Sequence, residues 1–215
     1  MKVIIAGSTG MVGNIILDHC LASQKIKEVI SLVRKPTGLS HEKLNEVVIE
    51  DFTDYAAHEP SFKDIDAAFF CIGVYTGQVP DHQFKIITVD YAVVFAKALQ
   101  ANSPKASLCL LSGAGADKTE KSRASFARYK GMSENQIDAL GLDFYTFRPA
   151  YIYPVTPRQE PNIMYSISRK LYPIFKLLGE NASITSEELA AAMFHIGINR
   201  TDKKILENRD ILKFV

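Results

Sequence analysis

Glycines at 7, 10 and 13 are the first residues of this sequence whose type and spacing can do chemistry. In MKVIIAGSTGMVG a short apolar run, Val3 to Ala6, leads into them, and the helical pattern MVGNIILDHCLAS follows. A loop that leaves a strand and opens a helix binds a diphosphate only if its backbone comes very close. Gly7 permits the tight turn, Gly10 removes the side chain that would block the phosphates, and Gly13 lets the helix pack on the sheet. The free amides of the turn and of the first helical residues, Met11 and Val12 among them, then face the anion along with the helix dipole. Ser8 and Thr9 add hydroxyls at the same place. The spacing is Gly-x-x-Gly-x-x-Gly rather than the tighter Gly-x-Gly-x-x-Gly, and the same three glycines also suit a purely structural turn.

A second stretch bears on the ligand. SLVRKP places Arg34 and Lys35 at the end of the second strand, where an acid would grip the ribose hydroxyls of an unphosphorylated dinucleotide. Two cations suit a 2′-phosphate, because guanidinium binds phosphate in a bidentate way, so the expected cofactor is NADP(H) in preference to NAD(H). The plainer alternative is two solvated loop charges. EDFTD puts Asp51 and Phe52 just past the third strand, where an adenine edge would lie. CIGVYTG puts Cys71, Ile72 and Gly73 past the fourth, with a glycine that lets backbone approach a ribose. Asp and Gly also end strands merely as turn formers.

The elements that must position these residues follow from hydrophobic periodicity. Strands are expected at 2–6, 28–33, 46–49, 66–71, 106–111 and 142–148, with helices at 11–23, 54–63, 82–101 and 122–140. Continuous apolar strands separated by helices indicate a parallel sheet covered on both faces. The predicted fold class is α/β, a doubly wound Rossmann-type sheet in a single domain over 1–215, with ligands at the carboxyl ends of the strands. Prolines at 149, 154, 157 and 161 predict an irregular connection over 149–161. Helical patterns resume at 162–178 and 186–199, the second with Thr185 or Ser186 as its start. Residues 203–214 read as a small strand or a packed tail. The stretch 149–180, with Tyr151, Tyr153, Tyr165, Tyr172 and Phe175, is expected to cap the substrate side or to form core beneath a helix.

Charge and composition narrow the function classes. A net charge of +1 gives no global basic field, so nucleic acid is not an implied partner. Cys20, Cys71 and Cys109 are spaced without a metal or redox pattern, and the five histidines are scattered; no metal site is expected. Neither an export signal nor a membrane-length apolar run is evident, which predicts a soluble, cytoplasmic protein without a membrane partner.

GSTGMVG, LVRK, DF, CIG, LLSGAGAD, KGMSE and FRPAYIY together resemble the extended, atypical branch of the short-chain dehydrogenase/reductases, over nearly the whole chain. The order CIGVYTG, VDYAVVFAKAL, LLSGAGADK, YKG and FRPAYIYPVTPRQE is most similar to the Tat-interacting-protein-like NAD(P)-binding proteins. The resemblance implies that Ser112 holds a substrate carbonyl. It implies that Lys130 binds the nicotinamide ribose and lowers the pKa of a tyrosine one helical turn earlier. It further implies that Pro149, Ala150 and Tyr151 lie beside the nicotinamide, and that Asp90 falls where relatives carry Asn or Asp.

The tyrosine is missing. Lys130 requires it at 126, and residue 126 is Phe126, which keeps the ring but has no proton to give. Tyr129, Tyr75 and Tyr151 are the alternative donors. Ser112 as a turn residue, Lys130 as a solvated charge and Phe126 as ordinary core are the structural alternatives. Two functions stay open: an NADPH-dependent oxidoreductase acting on a small carbonyl substrate, and a non-catalytic NADP(H)-binding redox sensor that reports to a protein partner. Helices 82–101 and 122–140 are the pair through which many relatives dimerise, and oligomeric state stays open as well.

Overall fold

The computed structural model describes residues 1–155, 179 and 181–215. Seven strands form one parallel sheet in the order β3-β2-β1-β4-β5-β6-β9. In chain order these are β1 (Lys2–Ala6), β2 (Glu28–Val33), β3 (Leu44–Val48), β4 (Ala67–Phe70), β5 (Ser107–Leu111), β6 (Asp143–Arg148) and β9 (Ile205–Glu207). The order reverses between β1 and β4, so the glycine turn after β1 stands at the point where a doubly wound sheet opens a crevice.

The central strands are buried on both faces, which is why they read as unbroken apolar runs. In β1, Ile4 and Ala6 join one core layer while Val3 and Ile5 join the other, and all four are fully buried. The first layer packs the sheet against α3 (Tyr91–Asn102), α4 (Ser125–Asp138) and a 3-10 segment, Ala56–Phe62. The second packs it against α1 (Met11–Ala22) and α5 (Ser186–Asn199). Thr185 caps α5: its hydroxyl accepts the Glu188 amide while the Glu188 carboxylate takes the Thr185 amide.

Three local expectations are revised and a fourth is met. The helix expected over 82–101 is α2 (Asp81–Lys85), a π turn (Ile86–Asp90) and then α3; the wider turn carries Asp90 at its end. Of the helix expected over 54–63, Ala56–Phe62 forms a 3-10 segment, because Pro60 removes a donor that an α-helix would need. The irregular connection over 149–161 contains a strand, β7 (Tyr151–Tyr153), which pairs in parallel with β8 (Ser183–Thr185) as a second small sheet. The expected small strand or packed tail at 203–214 contains both a strand and helical turns: β9 completes the main sheet beside β6, and α6 (Asn208–Ile211) follows. The helix expected at 162–178 and the aromatic residues 165, 172 and 175 lie outside the described residues, as does most of the proposed cap.

Candidate functional site

The carboxyl ends of β1, β4, β5 and β6 open onto a cleft of about 400 Å³. Gly10, Met11 and Val12 form one wall and Cys71 to Thr76 another. Leu111 to Gly113, Phe126 and Lys130 stand beyond them, with Pro149 to Ile152 alongside.

At the β1 end the geometry is set by backbone. Gly7 has φ +91°, the left-handed region, and a Cβ there would lie 2.8 Å from the Cys71 carbonyl carbon and the Ile72 nitrogen. A Cβ on Gly13 would stand 2.1 Å from the Gly7 oxygen, so α1 starts directly against the turn. Gly10 is exposed and donates its amide back to Gly7 at 3.0 Å. The first turn of α1 carries no acidic residue, which leaves the positive end of the helix dipole unneutralised. Thr9 is exposed. Ser8 is buried, with its hydroxyl 2.6 Å from that of Ser31, so it ties the turn to β2.

Beyond β2 and β3 the sequence-predicted residues are spread along the rim. Arg34 and Lys35 are exposed immediately after β2. Asp51 is exposed and bends the chain by accepting the Thr53 amide at 2.8 Å and hydroxyl at 2.7 Å, which hold its carboxyl below the usual range. Phe52 turns inward and stacks in the core, with its ring centroid 5.6 Å from Tyr91. Gly73 lines the cleft, and a Cβ on it would meet nothing within 4 Å.

The β5–β6 end is built from side chains. Lys130, on α4, reaches the Leu111 carbonyl with its Nζ at 3.1 Å. Burial draws its pKa down to about 8, against the upward pull of Glu134 and then Cys71. Burial pushes the Cys71 thiol up to about 12, only partly offset by Lys130, so at neutral pH it is a neutral wall rather than a nucleophile. Ser112 is buried and donates its hydroxyl to Glu134 Oε1 at 2.6 Å. The same carboxylate receives Arg148 Nε at 3.1 Å and Nη2 at 2.5 Å, a bidentate pair, while Arg148 Nη1 reaches Glu207 at 3.1 Å. The hydrogen bond and charge of Glu134 hold Arg148 above its ordinary pKa.

Phe126 faces this end with its ring. A Cβ built on Gly113 would lie 2.5 Å from Phe126 Cζ, so the ring fills the space of the side chain that Gly113 lacks. Tyr129 is buried and outside the cleft lining; its hydroxyl donates to Asp81 at 2.6 Å, and Ser125 and Tyr129 hold that carboxylate below its usual range. Tyr75 and Tyr151 line the cleft. Pro149 and Ala150 are pinned by their backbones, the Pro149 carbonyl by the Ala114 amide at 2.9 Å and the Ala150 amide by Asn208 at 2.8 Å. The sequence reading missed Glu134, Arg148, Gly113 and Asn208. Only Glu134 carried a local signal, one helical turn past Lys130 on the same face. Among the described residues no cluster of His, Cys, Asp and Glu is arranged to hold a metal ion, and no helix is long and apolar enough to cross a membrane.

Crevice, parallel strand order and glycine turn together define a Rossmann-type fold. The family described as NAD(P)H-binding matches residues 7–196, and the chain belongs to it. No curated protein matches the sequence. Among solved structures the chain is similar to a UDP-N-acetylglucosamine 4-epimerase from Methanobrevibacter ruminantium M1, with 19% identity and a TM-score of 0.71. That match covers 96% of this chain and 75% of the other. It is also similar to the enzyme WbmH of Bordetella bronchiseptica, solved with NAD⁺ (19% identity, TM-score 0.70, 96% of this chain and 74% of that one). A third is a Rossmann-fold NAD(P)-binding family protein from Shigella flexneri (18% identity, TM-score 0.62, 95% and 89%). At these identities the likeness is one of fold.

Proposed function

We propose that this protein binds NADP(H) across the carboxyl ends of β1, β4, β5 and β6 and acts as an oxidoreductase on a small carbonyl substrate. The observation that carries the reading is the continuous cleft from the glycine turn to Lys130, with open space at Gly73 for a ligand to approach backbone. The amides at the start of α1 hold the diphosphate. Arg34 and Lys35 meet the 2′-phosphate, Asp51 lies toward the adenosine, and Cys71 to Gly73 pass along a ribose. Phe52 supports that region from the core rather than by touching the ligand. Lys130 holds the second ribose, with Pro149, Ala150 and Tyr151 beside the ring. When bound, the nicotinamide supplies or accepts a hydride. The chain orients it, excludes water from the apolar wall of Val12, Ile72 and Ile152, and presents Lys130.

A second reading, a cofactor-dependent regulator with no turnover that signals to a protein partner, draws support from Phe126 and from the commitment of Ser112 to Glu134. Both readings require the cofactor. NADPH added to the protein therefore gives fluorescence enhancement and a thermal shift, and NADH binds more weakly. Arg34→Ala lowers NADPH affinity about tenfold, a loss of about 1.4 kcal/mol, and leaves NADH affinity unchanged. Equal affinity for the two nucleotides in the unaltered protein removes the phosphate assignment; no binding of either removes both readings.

A further inference from the structure

We propose that Lys130 is itself the proton donor of this site, delivering an ammonium proton to the oxygen of a carbonyl compound as that compound is reduced. The inference rests on the cofactor and carbonyl reading above and assigns the acid that reading lacks.

The position where the tyrosine is expected, the cleft serine and one of the three alternative tyrosines are absent or engaged elsewhere, while Tyr75 and Tyr151 line the cleft and are tested below. Residue 126 is a phenyl ring, Ser112 gives its proton to Glu134, and Tyr129 gives its own to Asp81 outside the cleft lining. No side chain at 113 fits without displacing the Phe126 ring, so the neighbouring position offers no hydroxyl either. Lys130 does line the cleft, and it shares the face of α4 with Phe126 one turn away. Its hydrogen bond to Leu111 uses one of the three donors of an ammonium group, which leaves others to be directed into the cleft.

The groups around the amine set its readiness to part with a proton. Glu134 stands one turn further along α4, with Arg148 of β6 paired behind it. Cys71 faces it from the end of β4 and the Leu111 carbonyl from β5. Tyr75 and Tyr151 line the same cleft. Burial among these walls weakens the proton's hold, while Glu134 and Cys71 restore part of it, and the balance falls at about 8. A donor titrating there is charged at neutral pH yet gives its proton without a large penalty, as general acid catalysis requires.

The step balances. The carbonyl carbon gains a hydride pair from the reduced nicotinamide, the C=O π bond opens, and the oxygen takes the proton from Lys130 Nζ. An alcohol and the oxidised dinucleotide result, and water reprotonates the neutral amine.

Two measurements on the full chain test this. Without nucleotide, trace labelling with acetic anhydride and peptide mass spectrometry across pH reads the amine's own titration. Lys130 acetylates with a midpoint near 8, whereas a midpoint in the ordinary lysine range, or no labelling, overturns the proposal. With NADPH and p-nitrobenzaldehyde, turnover falls as pH rises through the same midpoint, because the charged form is the active one. Lys130→Arg keeps the positive charge but does not release its proton in this range; assayed at saturating NADPH, it loses about 10²-fold or more in rate. Retained turnover in Lys130→Arg overturns the proposal, and so does loss of the alkaline limb in Tyr75→Phe or Tyr151→Phe. NADPH binding without aldehyde turnover in the unaltered protein overturns it while sparing the cofactor reading; absence of NADPH binding brings down that reading instead.

Discussion

Under β1 the cleft is shaped by backbone approaching backbone, whereas under β5 and β6 it is shaped by side chains that reach one another across the sheet. Gly7 and Gly13 leave no room for a Cβ, and the nearest atoms are main chain of the same turn or of the next strand. At the other end Ser112 just past β5, Glu134 of α4, Arg148 of β6 and Glu207 of β9 form one polar chain. A backbone cradle tolerates little change of shape but leaves the surrounding side chains free. A side-chain network keeps its shape only while every member is present, since a buried charge that loses its partner is costly.

The sharpest way to break that contrast is to remove Glu134. Its carboxylate is buried and takes two hydrogen bonds from Arg148 and one from Ser112. Glu134→Leu leaves the guanidinium with the half-exposed Glu207 alone, and a loss of about 3–5 kcal/mol in urea unfolding is expected. Double substitution with Arg148→Met recovers much of that loss, because the stranded charge is then gone. A loss below about 1 kcal/mol for Glu134→Leu would show that the network is incidental to the fold.

The cradle answers differently. Gly13→Ala places a methyl 2.1 Å from the Gly7 oxygen, and that oxygen cannot swing aside as the end of a long side chain would. A destabilisation of about 1–3 kcal/mol is expected, together with loss of the NADPH-induced thermal shift even at temperatures where the variant stays folded. Normal cofactor binding by a folded Gly13→Ala would separate the glycine turn from the ligand and weaken the contrast.

This contrast also explains what was legible in the sequence. At Gly7 and Gly13 the constraint and the residue that meets it are neighbours in the chain, so spacing alone exposes it. Ser112 is the opposite case. Its type and its place at a strand end fit a substrate contact, but its partner lies 22 residues away on a helix, and only the packing of α4 decides where the hydroxyl points. Ser8 depends on distant sequence in the same way, since Ser31, which its hydroxyl meets, is 23 residues on. The positions of the buried strands along the chain followed from apolar runs, while β7 and β8, three residues each, are too short for any period to show. The π turn before α3 is likewise invisible to a pattern that only asks for helical spacing.

The smallest effect is expected where the sequence promised the largest. If Phe126 were a lone defect in an otherwise complete catalytic end, Phe126→Tyr would restore a donor worth about 10²–10⁴-fold in rate. The structure gives no such isolated defect. The ring's Cζ already stands where a side chain on Gly113 would be, so a hydroxyl added at Cζ enters a crowded corner beside backbone. The serine that would share its substrate is turned to Glu134, and the lysine beneath it titrates at about 8 without any tyrosine to tune. Steady-state assays of Phe126→Tyr with NADPH and an aldehyde should therefore fall well short of that gain, with NADPH affinity unchanged. A gain within that range would mean that the β5–β6 end rearranges as readily as a single ring can turn, and the division between a rigid cradle and a committed network would fail at its second term.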